Sequence, residues 1–167
     1  MSKNRKIKLG VSAFAFALLL GCDKAEPVRD IAYYQGLGFE KSLESLRACV
    51  QKKKALLEKK DAEGLDQFAK STQNINCRTA FRFVIKEAAQ SLSVRAQEIQ
   101  KMNTQDEVKI LRDKIHADME TKLSGIDSVV EDWQSDAMPL GLAIRDLNQK
   151  AANRISRIDI DSWKKRK

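Results

Sequence analysis

Apolar side chains recur every three or four positions along most of the chain, which is the period of an α-helix. The first long helix is predicted from the stripe Phe39, Leu43, Leu46, Val50 and Leu57. A second stripe, in a helix predicted over residues 78–102, comprises Phe81, Val84, Ile85, Ala88, Leu92, Ala96 and Ile99. Stripes this narrow suit helices that pack side by side. The pattern therefore predicts an all-α fold, either a compact helical bundle or extended helical hairpins.

Polar and turn-forming residues mark the predicted ends of these helices. Asp61 is placed to cap a short helix, and residues 71–76 are predicted to form a polar turn before the next one. Thr104 and Glu107 match a capping box, in which each side chain bonds to the backbone N–H of the other residue. Pro139 is expected to interrupt the apolar pattern and to allow a final helix, whose stripe comprises Leu140, Ile144, Leu147, Ala151, Ile155 and Ile158.

The start of the chain has the three zones of a secretory signal. Residues 1–8 contain four cations and no acid, and residues 9–20 are apolar apart from one glycine and one serine. Since a membrane-spanning helix needs about 20 apolar residues, this segment is predicted to be a signal peptide. The following Leu-Leu-Gly-Cys sequence, residues 19–22, resembles the lipobox of bacterial lipoproteins. We therefore expect residues 1–21 to be cleaved off.

Cys22 is the predicted lipidation site, because its thiol is the nucleophile that takes the diacylglycerol in proteins with a lipobox. A single acyl chain binds a membrane only marginally, so a multiply acylated cysteine, palmitate included, would give a durable anchor. In the same class of proteins, an acid at the position of Asp23 marks retention in the inner membrane. We expect residues 22–30 to be an acylated tether at the periplasmic face and residues 31–167 to be a helical periplasmic domain.

The charge of the chain changes once the signal peptide is set aside. Residues 22–167 keep 27 Lys and Arg against 23 Asp and Glu, so the net charge falls from +8 to +4. Much of the remaining excess lies in residues 164–167, either as a solvated terminus or as a contact with anionic lipid. Aromatic residues do not interleave with the charges as they do in strand-binding grooves, and nucleic acid is therefore not an expected partner.

Sequence motifs of catalysis are missing from the chain. It has no Gly-rich phosphate loop, no cluster of metal ligands and no Ser-His-Asp set, and His116 is its single histidine. The acidic residues are spread at spacings typical of solvated helix faces. We accordingly predict no catalytic residues, no cofactor, no metal and no small-molecule substrate, and expect a binding or structural protein and not an enzyme.

Two cysteines remain after Cys22 is assigned to the lipid. Cys49 and Cys77 would lie in an oxidising compartment, where disulfides persist, and a bond between them would enclose 27 residues. The alternatives are two free buried thiols or a metal pair. A metal pair is disfavoured because His116 is 39 residues beyond Cys77. The sequence thus predicts a structural disulfide that staples the first helices.

Several short motifs occur in the first half of the chain: Cys22-Asp23-Lys24, Tyr33-Tyr34, Leu46, Cys49 and Asn76-Cys77-Arg78-Thr79-Ala80. Together they resemble the EexN family of plasmid entry-exclusion lipoproteins, which have two cysteines after the lipidated one. The resemblance covers residues 1–85. The segment between the two cysteines is longer here than in compact members, and residues 86–167 are expected to form a helical extension.

The resemblance implies that the protein stops a cell that already carries a conjugative plasmid from receiving another copy. It would bind a protein of the donor's type IV secretion system, or block DNA entry. Tyr33 and Tyr34, beside a predicted break over residues 33–38, are the predicted contact residues, since exposed aromatics are frequent interface anchors. The alternative for both tyrosines is packing onto the first helix. Other hypotheses for the whole chain are a structural lipoprotein of a secretion or envelope complex, and a periplasmic stress or holdase lipoprotein.

Overall fold

The computed structural model describes residues 26–126 and 131–166, and these form α-helices and short 3-10 segments without any strand. The all-α prediction is confirmed. The α-helices are α1 Ile31–Leu37, α2 Phe39–Glu58, α3 Ala62–Lys70, α4 Thr72–Ala96, α5 Gln105–Leu123 and α6 Met138–Lys164, with 3-10 segments at Glu98–Lys101 and Glu131–Ala137. Helix α4 contacts each of the other five α-helices, so the architecture is a compact bundle around α4 and not a set of extended hairpins.

Helix α4 is central because it is apolar on more than one side. Six of the seven residues of the predicted stripe are buried in α4, as are Phe83 and Ala89 outside that stripe. The helix predicted over residues 78–102 ends at Ala96, and the seventh residue, Ile99, is buried in the 3-10 segment that follows. An amphipathic helix at a surface buries one face, whereas a helix that is apolar over most of its circumference belongs in a core. At 25 residues, α4 is about 37 Å long and provides a surface for helices on several sides.

Two predicted helix starts are confirmed at the level of hydrogen bonds. Asp61 Oδ1 accepts a hydrogen bond from the Gly64 N–H at 2.8 Å and caps α3. At the start of α5, the Glu107 N–H donates to Thr104 Oγ1 at 3.2 Å, and the Thr104 N–H donates to Glu107 Oε2 at 3.0 Å. These two bonds lower the number of unpaired N–H groups in the first turn, as a capping box requires.

The polar turn predicted over residues 71–76 is wrong. Ser71 is the N-cap of α4, where its hydroxyl oxygen accepts a hydrogen bond from the Asn74 N–H at 3.2 Å, and α4 already begins at Thr72. Polar residues are common in the first turn of a helix, because its N–H groups have no partners within the helix. The polar run therefore opens α4, and Cys77 lies in the second turn of that helix.

One residue of the predicted α2 stripe is also placed differently. Leu57 is 46% exposed, and its neighbour Leu56 packs against the core instead. The chain returns into α3 close to Leu56. A Cβ atom added at Gly64 would be 2.9 Å from Leu56 Cδ2 and still closer to the Asp61 carboxylate, so a side chain at this position would have to displace both.

The second half of the described chain belongs to the same bundle as the first. Residue 85 lies inside α4, and α6 packs along α4 with Leu147 fully buried. Asp136, in the second 3-10 segment, pairs with Arg78 at 2.7 Å and with Arg82 at 3.0 Å, both on α4. Desolvation of Asp136 is outweighed by its hydrogen bonds to these two arginines and by their charges, which together lower its pKa.

Candidate functional site

Asn76 binds the N-terminal segment of the described chain to α4. Its side-chain Nδ2 donates to the Pro27 carbonyl oxygen at 3.0 Å, and its Oδ1 accepts from the Arg29 N–H at 2.7 Å. Asn76 is 3% exposed, and both of these bonds are partly buried. We call this pair of bonds the Asn76 clasp.

The clasp involves the last residues of the segment 22–30, which is predicted to be a tether. Pro27 and Arg29 are bonded to α4, and Asp30 Oδ1 accepts from the Tyr33 N–H at 2.9 Å as the N-cap of α1. The C-terminal end of this segment is therefore held against the bundle.

Of the two alternatives for Tyr34, an exposed contact residue or a residue packed against the helices, the structure shows packing. Tyr34 is 1% exposed, its hydroxyl donates to the Asn76 carbonyl oxygen at 2.9 Å, and its own carbonyl oxygen accepts from Ser42 Oγ at 3.1 Å. Burial raises the pKa of Tyr34 against the opposing hydrogen bond and charge of Arg29. The predicted break begins only at Gly38 (φ 81°), so Tyr34 is inside α1 and on its buried side.

Tyr33 is on the outer side of α1, and its predicted exposure is confirmed at 41%. Its ring meets the Tyr34 ring edge to face at a centroid distance of 5.2 Å. The Arg29 guanidinium lies 4.8 Å from the Tyr33 ring centroid and also pairs with Glu26 at 2.8 Å. Tyr33 is therefore held in one orientation by an aromatic and a cation–π contact.

The predicted disulfide is present next to the clasp. Cys49 on α2 and Cys77 on α4 are bonded, with their Cα atoms 6.0 Å apart. Cys77 directly follows Asn76, so the covalent link between α2 and α4 and the attachment of the N-terminal segment share one turn of α4. The site joins three separate parts of the sequence.

Three exposed apolar residues lie next to the clasp, two of them in sequence and Tyr33 through its contact with Arg29. Val28 is 67% exposed and lies between Pro27 and Arg29, whose backbones Asn76 binds. Ile75 is 49% exposed and directly precedes Asn76, and Tyr33 is 41% exposed. We call Val28, Tyr33 and Ile75 the clasp face. It lies at the end of the bundle where the described chain begins.

The other surface depressions are open grooves. One of about 510 Å³ lies between α5 and α6 and is lined by apolar residues and by the polar residues His116, Glu120 and Ser124. His116 Nε2 is 3.1 Å from Asn148 Oδ1. Within the described ranges, no three His, Cys, Asp or Glu residues are grouped to hold a metal ion. Among the helices described, none is long and apolar enough to cross a membrane.

Cys22 and Asp23, predicted for lipidation and sorting, lie outside the described residues. Asn76, in contrast, is a site residue that sequence reasoning missed as a structural contact, since it was assigned to a turn. A signal for it exists, because Asn76 precedes Ala80 and Val84 at intervals of four, and both of these are buried. A polar residue in register with a buried stripe must have hydrogen-bond partners.

Comparisons of the chain with protein-family models, with curated proteins and with solved structures find no match.

Proposed function

We propose that this chain is a lipoprotein anchored through Cys22 at the periplasmic face of the inner membrane, where it excludes redundant conjugative plasmids. The helical bundle would act by binding a protein of the incoming transfer machinery, without any chemical step. This role is the one implied by the resemblance of residues 1–85 to entry-exclusion lipoproteins.

The observation that supports the proposal most is the convergence of the motif residues. Tyr34 and Asn76 are 42 positions apart and share a hydrogen bond, and Cys49 and Cys77 share a disulfide. Residues that resemble those of one family thus form a single contact unit in three dimensions.

The position of this unit also supports an anchored protein. It lies at the point where the described chain begins, close in sequence to the predicted lipidation site Cys22. A short connection from an anchor to a rigid bundle would hold the bundle at the membrane, where a transfer apparatus has to act. In this arrangement the disulfide and the clasp keep the anchored end ordered.

Plasmid transfer into recipients that express the full chain tests the proposal. Transfer from a donor with a related plasmid should fall relative to an empty recipient, and transfer from an unrelated donor should not change. Cys22→Ser should restore transfer, because the variant cannot be acylated. The surface variant Val94→Ala is the matched control and should keep the exclusion, since Val94 is 62% exposed and remote from the clasp. Unchanged transfer from every donor would refute the proposed function.

A further inference from the structure

The clasp limits how far the bundle can move from an anchored Cys22. Five peptide units join Cys22 to Pro27, and at about 3.6 Å per residue they reach at most about 18 Å. From Pro27 onward the backbone is bonded to α4 through Asn76. The part of the bundle nearest to the clasp must therefore remain close to the bilayer surface.

The residues at this end have the composition of a membrane interface. Val28 and Ile75 are exposed aliphatic side chains, and Tyr33 has an apolar ring with a polar hydroxyl, which suits the boundary between headgroups and acyl chains. Arg29 lies over the Tyr33 ring and has a long apolar stem with a charged end, which can reach lipid phosphates. Of the nearby acids, Glu26 pairs with Arg29 and Asp30 caps α1, so both carboxylates already have partners.

We infer that the clasp face, Val28, Tyr33 and Ile75, rests on the lipid bilayer that holds the anchor, and thereby fixes the orientation of the bundle. This inference rests on the proposed lipid anchor at Cys22. A bilayer fits the face better than a protein partner does. A stable protein interface buries about 800 Å² on each side, from some 20 residues or more, whereas three apolar residues suffice for a shallow lipid contact that is assisted by a covalent anchor.

Quenching by brominated lipids tests this inference on the full chain, produced in bacteria so that it can be acylated. The protein is reconstituted into phosphatidylethanolamine and phosphatidylglycerol vesicles with or without bromine on the acyl chains. Tyr33→Trp reports on the clasp face, and Val94→Trp is the matched control, about 27 Å along α4 from Asn76. Both variants are made in a Trp163→Phe background, so that the other native tryptophan, the buried Trp133, adds the same emission to both.

The Tyr33→Trp variant should lose a several-fold larger share of its emission in brominated vesicles than the Val94→Trp variant. Ile75→Trp should behave like Tyr33→Trp, and it keeps the test valid if the substitution at Tyr33 prevents folding. Vesicle flotation is measured on the same samples. Protein that floats without quenching at either clasp-face position overturns the inference and leaves the face open for a protein partner. Protein that carries no lipid and does not float overturns the proposed anchor, and the inference with it.

Discussion

The Asn76 clasp leads to a prediction about stability that can be worked out from its geometry. Asn76→Ala removes the bond to the Pro27 carbonyl oxygen at 3.0 Å and the bond from the Arg29 N–H at 2.7 Å. Each such bond contributes about 1 kcal/mol net, so the free energy of unfolding should fall by about 2 kcal/mol. The loss stays near this value because Pro27 and Arg29 can move to water once the clasp is gone.

Urea unfolding of the oxidised domain measures this change. With a slope of about 2 kcal/mol per molar urea, the midpoint of Asn76→Ala should fall by about 1 M. Asn74→Ala is the matched control on the same helix. It removes one exposed bond from Asn74 Nδ2 to the Ala69 carbonyl oxygen and should lower the free energy of unfolding by less than about 1 kcal/mol.

Hydrogen exchange separates the clasp from a general loss of stability. The Arg29 amide should lose its protection entirely in Asn76→Ala, because its acceptor is removed. The protection factor of the Leu147 amide, in the buried centre of α6, should fall only about 30-fold. This is the change that a global loss of about 2 kcal/mol in the free energy of unfolding produces. An Asn76→Ala protein as stable as Asn74→Ala, with Arg29 still protected, would show that the clasp does not hold the N-terminal segment.

Further predictions concern the staple, the core and the ion pair. Replacing Cys49 and Cys77 by alanine should lower the free energy of unfolding by about 3–4 kcal/mol, the loop-closure value for the 27 enclosed residues, and equal stability of the reduced and oxidised protein would contradict this. Leu147→Ala should lower the free energy of unfolding by about 2–5 kcal/mol, measured by urea unfolding. Leu142 is 49% exposed, and Leu142→Ala should cost less than about 0.5 kcal/mol. Similar losses for the two variants would exclude α6 from the core. Because the pKa of Asp136 is lowered on folding, its contribution to stability is complete above the ordinary value of 3.8 and is lost as the pH falls through the folded value. Asp136→Asn should thus be less stable at about pH 7 and less sensitive to a change to about pH 3, and parallel pH profiles of variant and parent would count against the ion pair.

Periodicity was sufficient to predict the fold class and the core of α4, because burial on a helix follows directly from spacing. Six of the seven predicted residues of that stripe are buried in α4, and the seventh, Ile99, is buried just beyond its end. Capping was equally accessible, since Asp61 and Thr104 bond to backbone groups only three residues away. These are local interactions, and the neighbouring sequence contains both partners.

The site was less predictable because its contacts join distant parts of the chain. Tyr33 and Tyr34 are adjacent and chemically identical, and only the packing of α1 on α2 and α4 decides which of them is buried. The partners of Asn76 at Pro27 and Arg29 are more than 45 positions away and are backbone groups, which have no sequence signature. A polar run was therefore assigned to a turn, although one of its members is in the core.

Acylation of Cys22 is the central claim on which both the proposed function and the orientation of the bundle depend. Cells that express the full chain are fed a fatty-acid probe, and the protein is then isolated and examined for label. The parent chain should be labelled, Cys22→Ser should not, and a chain with Cys49 and Cys77 both replaced by serine should keep the label. A labelled Cys22→Ser variant, or an unlabelled parent chain, would contradict the account.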